Sequence, residues 1–350
     1  MKSATRARLL ATAALSALVL SGCSAPSSNT GGQASSRACI ILPDADSAPR
    51  WERDDRPALT RALETAGFTA EVRNAEGATG SYAQIGEELL AGGCGVMILV
   101  DFDGAAEGVA RAAQAAKVPV IAYDRPVKGA DYLVAFDHEN TGRLQGEAIV
   151  EGLLAAGKDP ATSTVYFVAG SPTDASAALV RAGAVKVMSQ AGIVVAAAFD
   201  GLGDPENTAS RFARELDAKG GKVDAVWVMN DTDAVGVIRV LDARGIVVPV
   251  TGQDATTEGL RNVLRGTQSS TVVRLFADEA QEAAKVAIGV LFGSDLDPDT
   301  HGFLDGTPYR KVPVERVGAA QLRPLVESGF IDAATLCSGL EEQCAAHGIG

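Results

Sequence analysis

Histidine is scarce in this chain of 350 residues: His138, His301 and His347 are scattered and show no metal-ligand spacing. There is no GxSxG elbow, no P-loop and no GxGxxG between a strand and a helix, so three large classes of catalysis find no motif here. Carboxylates abound, yet nothing selects two of them at a separation suited to glycoside hydrolysis. Positive charge is in deficit: 31 Lys and Arg stand against 44 Asp and Glu, a net −13, and no Lys/Arg-rich patch breaks the excess. That balance argues against nucleic acid and anionic membrane surfaces as partners. The expectation is a non-enzyme, monomeric, without cofactor or metal.

The apolar run at the start, Leu9 to Leu20, is too short to span a bilayer. Met1, Lys2, Arg6 and Arg8 precede it and Leu20-Ser-Gly-Cys23 closes it, the arrangement of a secretion signal over residues 1–22. Leu-Ser-Gly-Cys resembles the bacterial lipobox, in which the cysteine carries the lipid. Cys23 is therefore expected to anchor the protein on the extracytoplasmic side of a cell membrane, the alternative being ordinary cleavage with Cys23 free. Residues 23–36 have the small, polar composition of a flexible tether. Removing the three cations Lys2, Arg6 and Arg8 with the leader takes the net charge from −13 to −16.

With 47% hydrophobic and 21% charged residues, the remainder is globular and long enough for two domains. From Arg37 onward short apolar runs, among them Cys39–Leu42, Val96–Val100, Val118–Tyr123, Leu133–Phe136, Thr164–Ala169, Val194–Phe199 and Ala225–Met229, alternate with amphipathic helical patterns. Such alternation means parallel sheets covered on both faces. It occurs twice, so the fold class is α/β with two Rossmann-like doubly wound lobes. The first takes residues 37–138 plus 275–307, the second 139–274 plus 308–350. The chain then crosses between lobes near Asp137, Arg274 and Pro308, a three-crossing hinge. Cys39 and Cys94 precede or open strands that are usually neighbours in such a sheet, and Cys337 and Cys344 are close in sequence; the pairs Cys39–Cys94 and Cys337–Cys344 are expected, with free thiols or other pairings as the alternative.

Polar clusters follow nearly every strand, at the end where open α/β sheets bind ligands. The first lobe offers Asp44, Asp46, Arg50-Trp51, Asp101-Phe102-Asp103, Asp124-Arg125 and Asp137-His138; the second offers Ser171 to Asp174, Phe199-Asp200, Asn230-Asp231, Gln253-Asp254 and Arg274. A carboxylate accepts from two adjacent hydroxyls and Arg or Asn donates to ring and hydroxyl oxygens, so this mixture suits a neutral sugar, with aromatic faces such as Trp51, Phe102 or Phe199 to stack on it. Any one Asp at a strand end is as readily a helix cap or turn residue. Recurrence on both halves is what points to a site.

In order, Arg50-Trp-Glu-Arg-Asp54, Ile121-Ala-Tyr-Asp-Arg125, Phe136-Asp-His-Glu139, Gly170-Ser-Pro-Thr-Asp174, Asn230-Asp231, Gly252-Gln-Asp-Ala255 and Thr271-Val-Val-Arg274 resemble the type I periplasmic sugar-binding proteins of ABC transporters, most of all their D-xylose-binding branch. The resemblance covers about Arg37 to Cys337. It implies a periplasmic binding protein type I fold and sugar contacts from Arg50, Trp51, Asp124, Arg125 and nearby Asp137, and from Asn230 and Asp254. Arg274 stands where that branch has a lysine. His138 replaces its usual asparagine, Ala175 to Ala178 replace asparagines and a lysine, and no tryptophan accompanies Phe199; these departures bear on which sugar is held. The ligand-binding set expected is thus Arg50, Trp51, Phe102, Asp124, Arg125, Asp137, His138, Asp174, Phe199, Asn230, Asp254 and Arg274. The expected mechanism is a clamp that closes on its sugar and docks on an ABC transporter permease, or alternatively presents the sugar to a membrane signalling receptor.

Overall fold

The computed structural model of the chain describes residues 36–44, 50–172, 174–294 and 302–350. The leader, most of the tether, the lipidation candidate Cys23, Asp46 and His301 lie outside the described residues.

Among the described residues the chain builds a seven-stranded, a three-stranded and a two-stranded sheet. The first contains β1 (Arg37–Leu42), β2 (Thr69–Asn74), β3 (Val96–Leu99), β4 (Val120–Tyr123), β5 (Tyr132–Phe136), and, from later in the chain, two strands described below. In the order β5-β4-β3-β1-β2 all neighbours are parallel. Helix α1 (Arg56–Thr65) opens with Pro57, whose missing N–H costs nothing in a first turn. It packs on one sheet face, while α2 (Thr79–Ala91) and α3 (Ala105–Ala115) cover the other. Because both faces are covered, β3 and β4 are apolar at every position rather than alternating. A disulfide joins Cys39 of β1 to Cys94 just before β3.

After β5 the chain enters the second lobe through α4 (His138–Ala155). There β6 (Val165–Ala169) is central, with β7 (Val195–Asp200) and β8 (Ala225–Val228) parallel on either side. Single bridges from Val226 to Val250 and from Thr251 to Ser270 carry the sheet on to β9 (Thr271–Val273). Helices α4 and α5 (Ala177–Gln190) cover one face, α6 (Pro205–Ala218) and α7 (Asp231–Ala243) the other. Gly142 and Gly183 let α4 and α5 approach to backbone contact: a Cβ on Gly142 would strike the Val180 carbonyl, and one on Gly183 the Glu139 carbonyl. Beyond it, α8 (Thr257–Arg265) packs with the C-terminal segment, where a second disulfide joins Cys337 to Cys344.

The chain returns at Arg274 into α9 (Phe276–Leu291), whose apolar face packs on the first sheet beside α1. The short β10 (Phe303–Leu304) and β11 (Thr307–Val312) then complete that sheet, β11 parallel to β5. This corrects the expected third crossing near Pro308. The segment Lys311–Val317 divides between two sheets: Lys311 and Val312 end β11, and β12 (Glu315–Val317) pairs with β9 in the second lobe. Pro313 stands at the break, where a residue without an N–H cannot continue the ladder. The crossing therefore lies at Pro313 and Val314, and residues 308–312 belong to the first sheet.

Candidate ligand-binding cleft

The strand ends that carry polar residues face one cavity of about 840 Å3 between the lobes. Its inner end is organised by Asp124, which follows β4 in the left-handed region at φ 61° and is held there by its N–H donating to the Val134 carbonyl. Aspartate is among the few side chains that tolerate this conformation. Asp254 takes the matching place in the second lobe, at φ 93°, its N–H donating to Val272. Arg274 spans them: Nε donates to Asp254 Oδ1 at 2.6 Å and Nη1 lies 3.7 Å from Asp124 Oδ1.

Beneath Asp124 lies a buried ionic network. Arg50 donates from Nη1 to Asp124 Oδ1 at 3.0 Å, from Nε and Nη2 to the two oxygens of Asp55 at 2.8 Å each, and from Nη2 to Glu279 Oε2 at 2.6 Å. The Tyr123 hydroxyl also donates to Asp55. Aromatic rings enclose the guanidinium, with Phe276 at 3.9 Å and Trp51 at 4.4 Å from its carbon. Burial opposes charge on both partners, but Arg50 and Arg274 outweigh it at Asp124 and hold that carboxyl well below the ordinary range. Glu279 goes the other way: burial, then the nearby Asp124, pushes it well above its ordinary value. Three carboxylates crowd the Arg50 guanidinium, so burial and like-charge repulsion favour the protonated form of Glu279.

Arg125 donates from Nη1 to the Asp101 carbonyl at 2.9 Å, and its Nε lies 3.4 Å from Asp174 Oδ1 of the second lobe. The lobes thus already meet across the cleft. Three buried polar atoms on cavity-lining residues make no hydrogen bond among the described residues: Trp51 Nε1 and Arg125 Nε from the first lobe, the latter only ion-paired with Asp174, and Gln253 Oε1 from the second. Such atoms are costly to bury unless something else satisfies them.

The chain matches the family described as periplasmic binding protein domain over residues 39–295. It belongs to that family. It is 30% identical over 263 residues to the D-xylose-binding periplasmic protein of Escherichia coli K12, covering 72% of this chain and 77% of the relative. With the multiple sugar-binding periplasmic receptor ChvE of Rhizobium radiobacter it shares 27% identity over 323 residues, covering 84% and 90% of the two. A carbohydrate transporter solute binding protein from Chloroflexus aurantiacus, solved in complex with D-glucose, superposes with a TM-score of 0.73 at 25% identity, covering 85% of this chain and 97% of that one. No helix among the described residues of this periplasmic binding protein is long and apolar enough to cross a membrane.

Of the residues expected at the site, Arg50, Trp51, Phe102, Asp124, Arg125, Asp174, Asn230, Asp254 and Arg274 line the cavity. Some are partly occupied by structural duties. Asn230 caps α7, accepting from the Asp233 N–H and donating to its carboxylate, and Asp174 accepts from Ser176 at the start of α5. Three expected residues are not among those lining it. Asp137 caps α4 and pairs with Lys311 at the hinge, so its carboxylate is committed to the crossing. His138 is buried behind Asp124 with Nε2 at 2.7 Å from the Asp124 carbonyl. A carbonyl only accepts, so Nε2 carries the proton, and burial holds the ring's pKa below its ordinary value. Phe199 points into the second lobe's core, leaving Leu202 of the following turn to face the cleft.

Gln253, offered as a strand-end candidate, and Glu279 lie outside the expected ligand-binding set. Gln253 stands in the same strand-end pair as Asp254, but a neutral amide carries no charge signal. Glu279 lies within a helix and reaches the network only because α9 packs under the site.

Proposed function

We propose that this chain is an extracytoplasmic solute-binding lipoprotein that captures a sugar, its inner site built for one xylose-like pentose or related ring, and delivers it to an ABC transporter permease. The observation that carries the reading is the trio of buried atoms that make no hydrogen bond among the described residues, two donors from one lobe and one acceptor from the other, on the walls of a cleft otherwise rich in carboxylates and guanidinia. Adjacent hydroxyls both donate and accept, which is what this wall lacks. The names of the relatives, D-xylose-binding and multiple sugar-binding, agree with it.

The mechanism is closure about the three crossings. Asp124 and Arg125 take the ring from the first lobe, Asp254 and Gln253 from the second, and the closed form is favoured because only there are both sets engaged. A sugar lacking one hydroxyl leaves a buried charge unpaired, which is the source of selectivity. Affinity near micromolar, about −8 kcal/mol, is in keeping with such a site. Lipid at Cys23 and the tether after it keep the loaded clamp near its permease. One relative is named a receptor, which supports presentation to a signalling partner as a second reading; permease and ATPase genes beside this one favour import, a sensor kinase the alternative. A calorimetric panel of pentoses, hexoses and polyols tests the sugar reading, and silence across the panel would end it.

A further inference from the structure

The cavity is larger and less polar than its inner site requires. Its volume of about 840 Å3 falls in the upper part of the range for drug-sized ligands, roughly 300–1,000 Å3, and a single pyranose fills only a fraction of it. At the inner end the lobes are already in contact, Arg125 and Asp174 pairing across the cleft at 3.4 Å. Outside the charged inner end the lining changes character. Leu202, Leu275 and Phe330 all line it, and they are 45%, 42% and 36% exposed, among the few large apolar side chains this protein leaves in solvent.

Phe330 comes from the C-terminal segment, far in sequence from the strand ends. That segment is pinned just after Phe330. Ile331 beside it is in the core with α8, the Cys337–Cys344 disulfide closes the chain just beyond, and Arg261 of α8 donates to the carbonyls of Thr335, Leu336 and Ser338. A phenyl ring displayed on so fixed a support is a preformed wall rather than a loose loop.

We infer that the ligand carries a second ring: the cleft takes a disaccharide, one unit held by the carboxylates and guanidinia of the inner end and the other lying with its apolar face against Phe330, between Leu202 and Leu275. The inference rests on the sugar-binding reading above and goes further in naming the substrate class. Sugar rings present an apolar face as well as a polar edge, and an aromatic face desolvates the first without competing for hydroxyls.

Calorimetric titration of the full mature chain with matched pairs tests it: D-xylose with xylobiose, and D-glucose with cellobiose and maltose. The expected result is at least one disaccharide bound tenfold or more tightly than its monosaccharide. Phe330→Ala should abolish that advantage while leaving monosaccharide affinity within twofold, and Leu202→Ala should reduce it in the same selective way. Phe330 is partly exposed, and an unchanged melting temperature confirms that the variant is folded. Monosaccharides that bind as tightly as every disaccharide, or a Phe330→Ala variant with an undiminished disaccharide preference, would overturn the second subsite and leave the inner site standing. No heat from either class would overturn both readings.

Discussion

Arg274 Nε lies 2.6 Å from Asp254 Oδ1, an ion pair between the second hinge crossing and the wall of the second lobe. Through Nη1 the same guanidinium also faces Asp124, so one side chain at the hinge sets the orientation of a carboxylate in each lobe. If the proposed site holds the sugar, removing either aspartate removes charge-assisted hydrogen bonds to it, worth about 1.5–3 kcal/mol each. Asp254→Ala should therefore weaken sugar binding by about tenfold to a hundredfold with the fold retained, measured by calorimetry beside a thermal melt. Arg274→Met should lower affinity comparably, because it loosens both carboxylates at once.

Glu279 tests the charge state of the buried network. Its carboxyl is pushed well above the ordinary range by burial and by Asp124 while it accepts from Arg50. Glu279→Gln should then change the unfolding free energy by less than about 1 kcal/mol, whereas Glu279→Ala, which leaves a void and an unmet donor, should cost about 2–4 kcal/mol. Equal losses in chemical denaturation would show instead that the charge itself is needed.

Asp231 predicts a pH dependence of stability. It is buried on α7, accepts from Gln268, Thr271 and the Thr256 N–H, and burial together with Asp254 raises its pKa to about 7. The folded state thus holds a proton that the unfolded state releases near pH 3.8. The stability from this group is complete below that pH and is lost as pH rises through about 7. Asp124, held low, acts in the opposite sense at the acid end, where its contribution disappears as pH falls. Melting temperatures should decline between pH 5 and 8 in the parent, and Asp231→Asn should flatten that decline while lowering stability at pH 5.

The two disulfides should differ in weight. Cys39–Cys94 closes 55 residues and Cys337–Cys344 only 7. On the chain-entropy account the first stabilises by about 4 kcal/mol and the second by about 2.5 kcal/mol. Paired serine substitutions, compared by denaturant midpoint, should fall in that order.

Much of this was legible in the sequence because strand–helix alternation is a strong periodic signal and because charge at a strand end is conspicuous. The lobes and the gathering of Arg50, Asp124, Asp254 and Arg274 at one cleft follow from it. Direction was harder to read. Phe199 and Leu202 lie three positions apart at the end of one strand, and only the twist of the chain after β7 decides which faces core and which cleft. Likewise the valines of Lys311–Val317 suggest one late strand, and Pro313 divides it between lobes. Glu279 and Phe330 depend on packing between segments remote in sequence, for which local pattern carries no information.

The most direct test of the central claim is titration of the purified mature protein with D-xylose, D-glucose and their disaccharides, with Asp124→Ala titrated beside it. Saturable binding in the micromolar range that falls at least tenfold in Asp124→Ala is the predicted result. Absence of heat with every sugar, or undiminished binding in the folded variant, would contradict the account.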